Sequence, residues 1–216
     1  MRRLPQPASS CVHLSRAALG VALAAGLAGC ATASTKTAQA SGQDALPPWP
    51  LPPDWKAETL AFPLDFAPGI RHTGMEELRF APGFFKPTAP GYFSYAFVWW
   101  LADAQPLPAV ALADELRQYY AGLCTAVGGK KYAFDPAHYR VQLSPVADSM
   151  GGWEALSGQA DLYDAFTNGQ PISLHVLAYQ RACGSHRAVL VLASPQAEPA
   201  PIMAELRAVG QSFHCP

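Results

Sequence analysis

The chain has 216 residues, half of them hydrophobic and 14% charged, with 15 Lys and Arg against 16 Asp and Glu for a formal net charge of −1. That length sets the expectation of one domain with a proper core. The faintly acidic balance excludes the basic footprint of a nucleic-acid binder.

The amino-terminal stretch sets three features in order: Arg2, Arg3 and Arg16, an uncharged run from Ala17 to Gly29, and small residues ahead of Cys30. This is the order of a secretory signal, and the run is too short to cross a bilayer, which takes about 20 apolar residues. Leu27-Ala28-Gly29-Cys30 resembles the lipobox of bacterial lipoproteins. The resemblance implies diacylglycerol on the Cys30 sulfur, cleavage between Gly29 and Cys30, and acylation of the new amino group. Ala31 stands where an aspartate would mark inner-membrane retention, so the same resemblance implies an outer-membrane anchor with the domain in the periplasm. The alternative reading is a buried cysteine after a stray apolar run, which leaves the three arginines unexplained. Processing would remove residues 1–29 with three basic side chains and no acidic one, making the mature chain more acidic.

Residues 31–48 are mostly Ala, Thr, Ser, Lys, Gln and Gly, a composition that cannot bury enough surface to offset ordering entropy. With Cys30 they form an expected flexible tether over 30–48, with a typical reach of about 20–25 Å. The globular domain is expected over 49–216. Pro47, Pro48, Pro50, Pro52 and Pro53 surround Trp49 and Trp55 and stiffen the approach to it, either as a packed strap or as a proline-rich ligand for another protein.

Exported chains meet an oxidising compartment. On the lipoprotein resemblance Cys11 would leave with the signal and Cys30 would take lipid, so Cys124, Cys183 and Cys215 remain, enough for one disulfide and one free thiol. There is no C-x-x-C spacing, and so no indication of a thioredoxin-like site or zinc ribbon.

Within the domain, Leu60, Phe62, Leu64 and Phe66 share one parity, which predicts a strand with one buried face. Pro63 lacks an amide hydrogen and puts that strand at a sheet edge or kinks it. Ala-Pro-Gly recurs at Ala67-Pro68-Gly69, Ala81-Pro82-Gly83 and Ala89-Pro90-Gly91, three turn signals of the type II kind. A second strand is expected from about Met75 to Ala81, with Glu76, Leu78 and Phe80 on one parity and Glu77 and Arg79 on the other. Tyr92 to Leu101 is apolar on both parities, as for a strand covered on both faces or one lining an aromatic groove.

Leu112, Leu116, Tyr119 and Leu123 have helical spacing, and Gly128-Gly129 sits where such a helix would end. Tyr139, Val141 and Leu143, then Trp153 to Ala165, then Ile172 to Ala178 predict further strands. Arg181 to His186 reads as a hairpin turn, and Val189 to Ala193 as a central strand. Ile202, Leu206, Val209 and Phe213 return to helical spacing, with Pro199 and Pro201 at the start.

The predicted class is α+β, a mainly antiparallel sheet of about six or seven strands with two principal helices in a sandwich-like arrangement. This layout, with a last helix ending in Ser212-Phe213, is similar to the PsbP-like fold of photosystem and envelope proteins. The similarity implies a binding or assembly role rather than catalysis. In this topology the last strand leads away from the 181–186 turn and the final helix returns, over comparable lengths. That geometry predicts a Cys183–Cys215 disulfide, with Cys124 free.

No G-x-S-x-G elbow or H-E-x-x-H motif is present. Gly128-Gly129-Lys130-Lys131 departs from a phosphate loop, because Cys124 and Lys131 occupy the places of the first glycine and the Ser/Thr. No cofactor or metal is indicated. Asp161 and Asp164 read as a solvent-facing and a turn-forming aspartate, since a spacing of three puts them on opposite faces of a strand, though paired carboxylates can also do acid–base work. Glu76 on an inward parity must find a partner or shift its pKa upward, unless it sits at a strand end in water. With Arg79, Tyr95, Trp99 and Trp100 it forms the candidate binding surface for a sugar or apolar peptide segment, the alternative being that the aromatics are core. Two functions follow as expectations. The first is a noncatalytic envelope module attached through lipid on Cys30 and binding an envelope protein, glycan or lipid. The second is an envelope hydrolase assembled from dispersed residues such as Glu76, Asp161 and His175.

Overall fold

The computed structural model describes residues 46–147 and 150–216. The expected signal segment 1–29, the expected lipidation site Cys30 and most of the expected 30–48 tether lie outside the described residues. Leu46 packs on the domain and Pro47 is buried, so the packed strap begins ahead of Trp49.

Seven strands form one sheet: β1 (Lys56–Phe62), β2 (Gly74–Phe80), β3 (Tyr95–Leu101), β4 (Arg140–Pro145), β5 (Glu154–Tyr163), β6 (Pro171–Cys183) and β7 (His186–Ser194). Their spatial order is β1-β2-β3-β7-β6-β5-β4 and every pairing is antiparallel. Two helices, α1 (Ala109–Gly128) and α2 (Pro201–Gln211), complete the α+β sandwich. β3 and β7 meet at the centre and are buried along their whole lengths, which is why both read as apolar on both parities. Pro63 follows directly on β1, and β1 is an edge strand.

The sheet separates two cores. On one side α1 supplies Leu112, Leu116, Tyr119 and Tyr120 against Phe97 and Trp99 of β3 and Val189 and Val191 of β7. On the other side α2 supplies Ile202, Met203, Leu206 and Val209 against Val98, Trp100, Leu190 and Leu192. Trp49 closes this second core by donating its indole N–H to Val209 O at 3.0 Å and setting its ring edge-to-face on Phe213. At the β4–β5 end the α2 side of the sheet is uncovered, and Gln142, Gln159 and His175 are exposed there.

Several expectations change in detail. β1 ends at Phe62, yet Leu64 stays buried and Phe66 packs against the core beyond the strand, carried there by turns. The central strand starts at Tyr95, because Tyr92 to Ser94 belong to the preceding loop, with Phe93 at φ 47°. Each Ala-Pro-Gly is a turn closed onto its alanine carbonyl, by Ile70 N–H, Phe84 N–H and Tyr92 N–H. Only Gly83 has positive φ, at 85°, so only the middle turn meets the type II requirement.

Cys183 and Cys215 are brought together as a disulfide-capable pair with Cα atoms 5.5 Å apart, inside the usual range for a bridge. Cys124 is a buried free thiol that donates to Tyr163 O at 3.3 Å.

Candidate functional site

The five residues expected to form a binding surface do not share one. Glu76, Arg79, Tyr95, Trp99 and Trp100 are all buried, and the sheet divides them. Glu76, Tyr95 and Trp99 face α1, whereas Arg79 and Trp100 face α2 and the strap. The physical reason is the central position of β3, whose two faces are both covered. Trp100 stacks on His186, ring centroids 4.7 Å apart, and Tyr95 donates its hydroxyl to Tyr120 Oη at 2.9 Å. Arg79 lies 4.5 Å over the Trp49 ring, donates to the carbonyls of Trp49, Pro50 and Leu78, and pairs with Glu77. It fastens the strap to the sheet.

Glu76 does not sit in water. It is fully buried opposite Trp99, and its Oε1 accepts from Trp99 Nε1 at 3.0 Å. Oε2 has no partner that meets hydrogen-bond geometry, although the Tyr119 phenol beside the carboxyl favours its charged form. Desolvation outweighs both neighbours and pushes the carboxyl up to about 7.

The dispersed hydrolase residues are not assembled. Glu76 lies on the α1 side, while Asp161 and His175 are on the other face of the sheet, near its β4 edge. Asp161 accepts from Ser173 and Gln159, and His175 is exposed. Asp164 is the turn-forming aspartate. It accepts from the Phe166 and Thr167 amides, from the Thr167 hydroxyl and from Tyr92 Oη. Among the described residues no group of three or more His, Cys, Asp and Glu could hold a metal ion.

The concavity with the character of a ligand site lies between the β1–β2 edge of the sheet and the carboxy-terminal half of α1. Its volume is about 320 Å³, at the lower end of the range for small-molecule sites. The strands contribute Leu60, Leu78 and Phe80, and α1 contributes Tyr119, Leu123 and Val127. Two loops close over it with Phe84, Phe85 and Phe166. Those three rings pack edge-to-face, Phe84 against Phe85 at 4.8 Å and both against Phe166 at 5.6 and 5.7 Å, a favoured aromatic geometry. Asp164 holds Phe166 in place by accepting its amide N–H. Phe85 is 51% exposed and Val127 45% exposed, so the cavity opens to solvent between them. Glu58 is the one ionisable carboxylate in its wall. Of the five residues expected to form the binding surface, only Tyr95 reaches this cavity. The missed signal was the adjacent Phe84-Phe85 pair in a turn, where two large apolar side chains cannot both enter a core.

Comparison with protein-family models, with curated proteins and with solved structures found no match.

Proposed function

We propose that the protein is a lipid-anchored component of the bacterial envelope, attached to the outer membrane through Cys30, and that its periplasmic domain is a noncatalytic module that binds an apolar ligand in the cavity between β1–β2 and α1. The observation that carries this reading is the aromatic-walled cavity with Phe85 and Val127 at its mouth. An apolar, aromatic-walled cavity whose mouth is rimmed by exposed apolar side chains has the character of a ligand site. The Leu27-Ala28-Gly29-Cys30 motif supports the anchor, and the disulfide-capable pair suits an oxidising compartment. Hydrolysis by Glu76, Asp161 and His175 draws no support from their placement on opposite faces of the sheet.

The cavity is tested with the full chain carrying Cys30→Ser, purified without detergent and titrated with decanol while tryptophan fluorescence is followed. Saturable binding is expected, and Ala126→Trp, which fills the cavity from α1, should abolish it. Equal binding by the two proteins places the ligand elsewhere. The anchor is tested by fractionation: Cys30→Ser should move the protein out of the membrane fraction, because the several chains of a processed lipoprotein hold it there. Retention in membranes would count against lipid on Cys30.

A further inference from the structure

The apolar cavity has a neighbour. A second concavity of about 220 Å³ shares Phe80, Phe84 and Phe85 with it and carries Asp54, Lys56 and Lys86. Neither lysine has an ion-pair partner among the described residues. One aromatic wall therefore has an apolar chamber on one side and a vestibule with two free ammonium groups and one carboxylate on the other.

The edge strand grades between the two. On β1, Lys56, Glu58, Leu60 and Phe62 share the parity that faces α1, and their environment runs from exposed through half-buried to buried in that order. The loop before β3 repeats the gradient, from exposed Lys86 through half-exposed Phe85 to buried Phe84. Two independent segments thus place cations at their outer ends and aromatic or aliphatic surface at their inner ends, where the two concavities meet at the rings of Phe80, Phe84 and Phe85. Glu58 stands one residue pair inward of Lys56, about 7 Å along the strand. Its carboxylate repels an anion that moves further in, which holds a negative head at the lysines while an apolar tail goes past.

Resting on the cavity as the ligand site, we infer that its occupant is a single-chain amphiphile with an anionic head, its tail in the chamber lined by Leu60, Phe84 and Tyr119 and its head between Lys56 and Lys86. The vestibule's excess of positive charge, two lysines against the single carboxylate of Asp54, and the polarity gradient along both segments select this occupant over a neutral or cationic one.

Three probes of equal chain length separate the parts of the inference: decanoate, decanol and decyltrimethylammonium, each titrated into the full chain carrying Cys30→Ser. Decanoate is expected to bind roughly 3- to 10-fold more tightly than decanol, the strength of two partly solvated charge pairs, and the cation more weakly than either. The advantage of decanoate should shrink at high salt. Exchanging both exposed lysines, Lys56→Gln with Lys86→Gln, should remove that advantage and leave decanol unchanged. Decanoate binding no more tightly than decanol, or an advantage that survives the double exchange, overturns the assignment of the head while the cavity stands. Failure of all three probes to bind removes the cavity reading itself, and binding that persists in Ala126→Trp places the site elsewhere.

Discussion

Glu76 and Trp99 face each other across β2 and β3, with the indole N–H of Trp99 donating to Glu76 Oε1 at 3.0 Å inside a core that otherwise excludes water. One hydrogen bond to a neutral donor, with the Tyr119 phenol nearby, does not compensate a buried carboxylate, so burial raises its pKa from 4.5 to about 7. The folded state therefore binds this proton more tightly than the unfolded chain does. The resulting stability is fully present below pH 4.5 and is lost as pH rises to about 7, a change of about 3 kcal/mol. Glu76→Gln keeps an oxygen for Trp99 and carries no charge, so its stability should lack this component and exceed that of the parent above pH 7. Denaturant midpoints of the two proteins at several pH values check this, because their difference cancels the other titrating groups. Parallel pH profiles would contradict it.

The covalent prediction concerns Cys183 at the end of β6 and Cys215 beyond α2, which are separated by 32 residues. Peptide mapping without reduction should recover these two joined. Reduction should lower stability by about 3–4 kcal/mol on the chain-entropy account. Cys124 should resist thiol reagents in the native protein, since it is buried and burial pushes its thiol pKa up. Rapid labelling of Cys124, or a bridge that contains it, would show that the pairing is wrong.

Periodicity made the frame of the fold readable. The switch from alternation in β1 to helical spacing in α1 located the elements; Pro63 allowed an edge or a kink, and the doubly apolar run of β3 a central strand or a groove, of which the fold takes the edge and the centre. The same logic placed Cys215 near Cys183, because two elements of known rise had to return to one end. Parity assigns a residue to a face but does not say what covers that face. Glu76 was therefore readable as inward and in need of a partner, while Tyr95, Trp99 and Trp100 were offered as a surface although both faces of β3 are covered. The cavity was less legible still. Its walls come from Leu60, Phe85, Val127 and Phe166, which have no shared spacing and are brought together only by two loops and the end of a helix.

Arg79 should prove the fastening of the strap. Its guanidinium satisfies the carbonyls of Trp49 and Pro50, pairs with Glu77 and lies over the Trp49 ring, while only 2% of the residue is exposed. Arg79→Ala leaves these acceptors without a donor and should cost about 3 kcal/mol. Lys cannot restore the fork of donors, so Arg79→Lys should recover only part of the loss. Limited proteolysis is expected to cut the variant within residues 46–55 before the rest of the domain opens. Cleavage distributed over the whole domain, with no early cut there, would show that the strap is held by Trp49 and its contacts with α2 alone.

Gly122 lies where α1 passes closest to the turn after β1, and a Cβ built there would stand 1.9 Å from Phe66 O. Glycine within a helix ordinarily costs about 1 kcal/mol relative to alanine. At this position the backbone oxygen cannot move aside as a flexible side chain would, and overpacking of this kind costs about 1–3 kcal/mol. The steric effect should therefore outweigh the helix-propensity gain, so Gly122→Ala should lower the denaturation midpoint instead of raising it. Phe66 and Tyr119 pack edge-to-face with ring centroids 5.2 Å apart, and both line the cavity. Displacing α1 from the turn separates these two rings, so decanol affinity should fall along with stability. A stabilised Gly122→Ala protein with unchanged decanol binding would mean that the helix has room to approach the turn, and that the cavity wall does not depend on this contact.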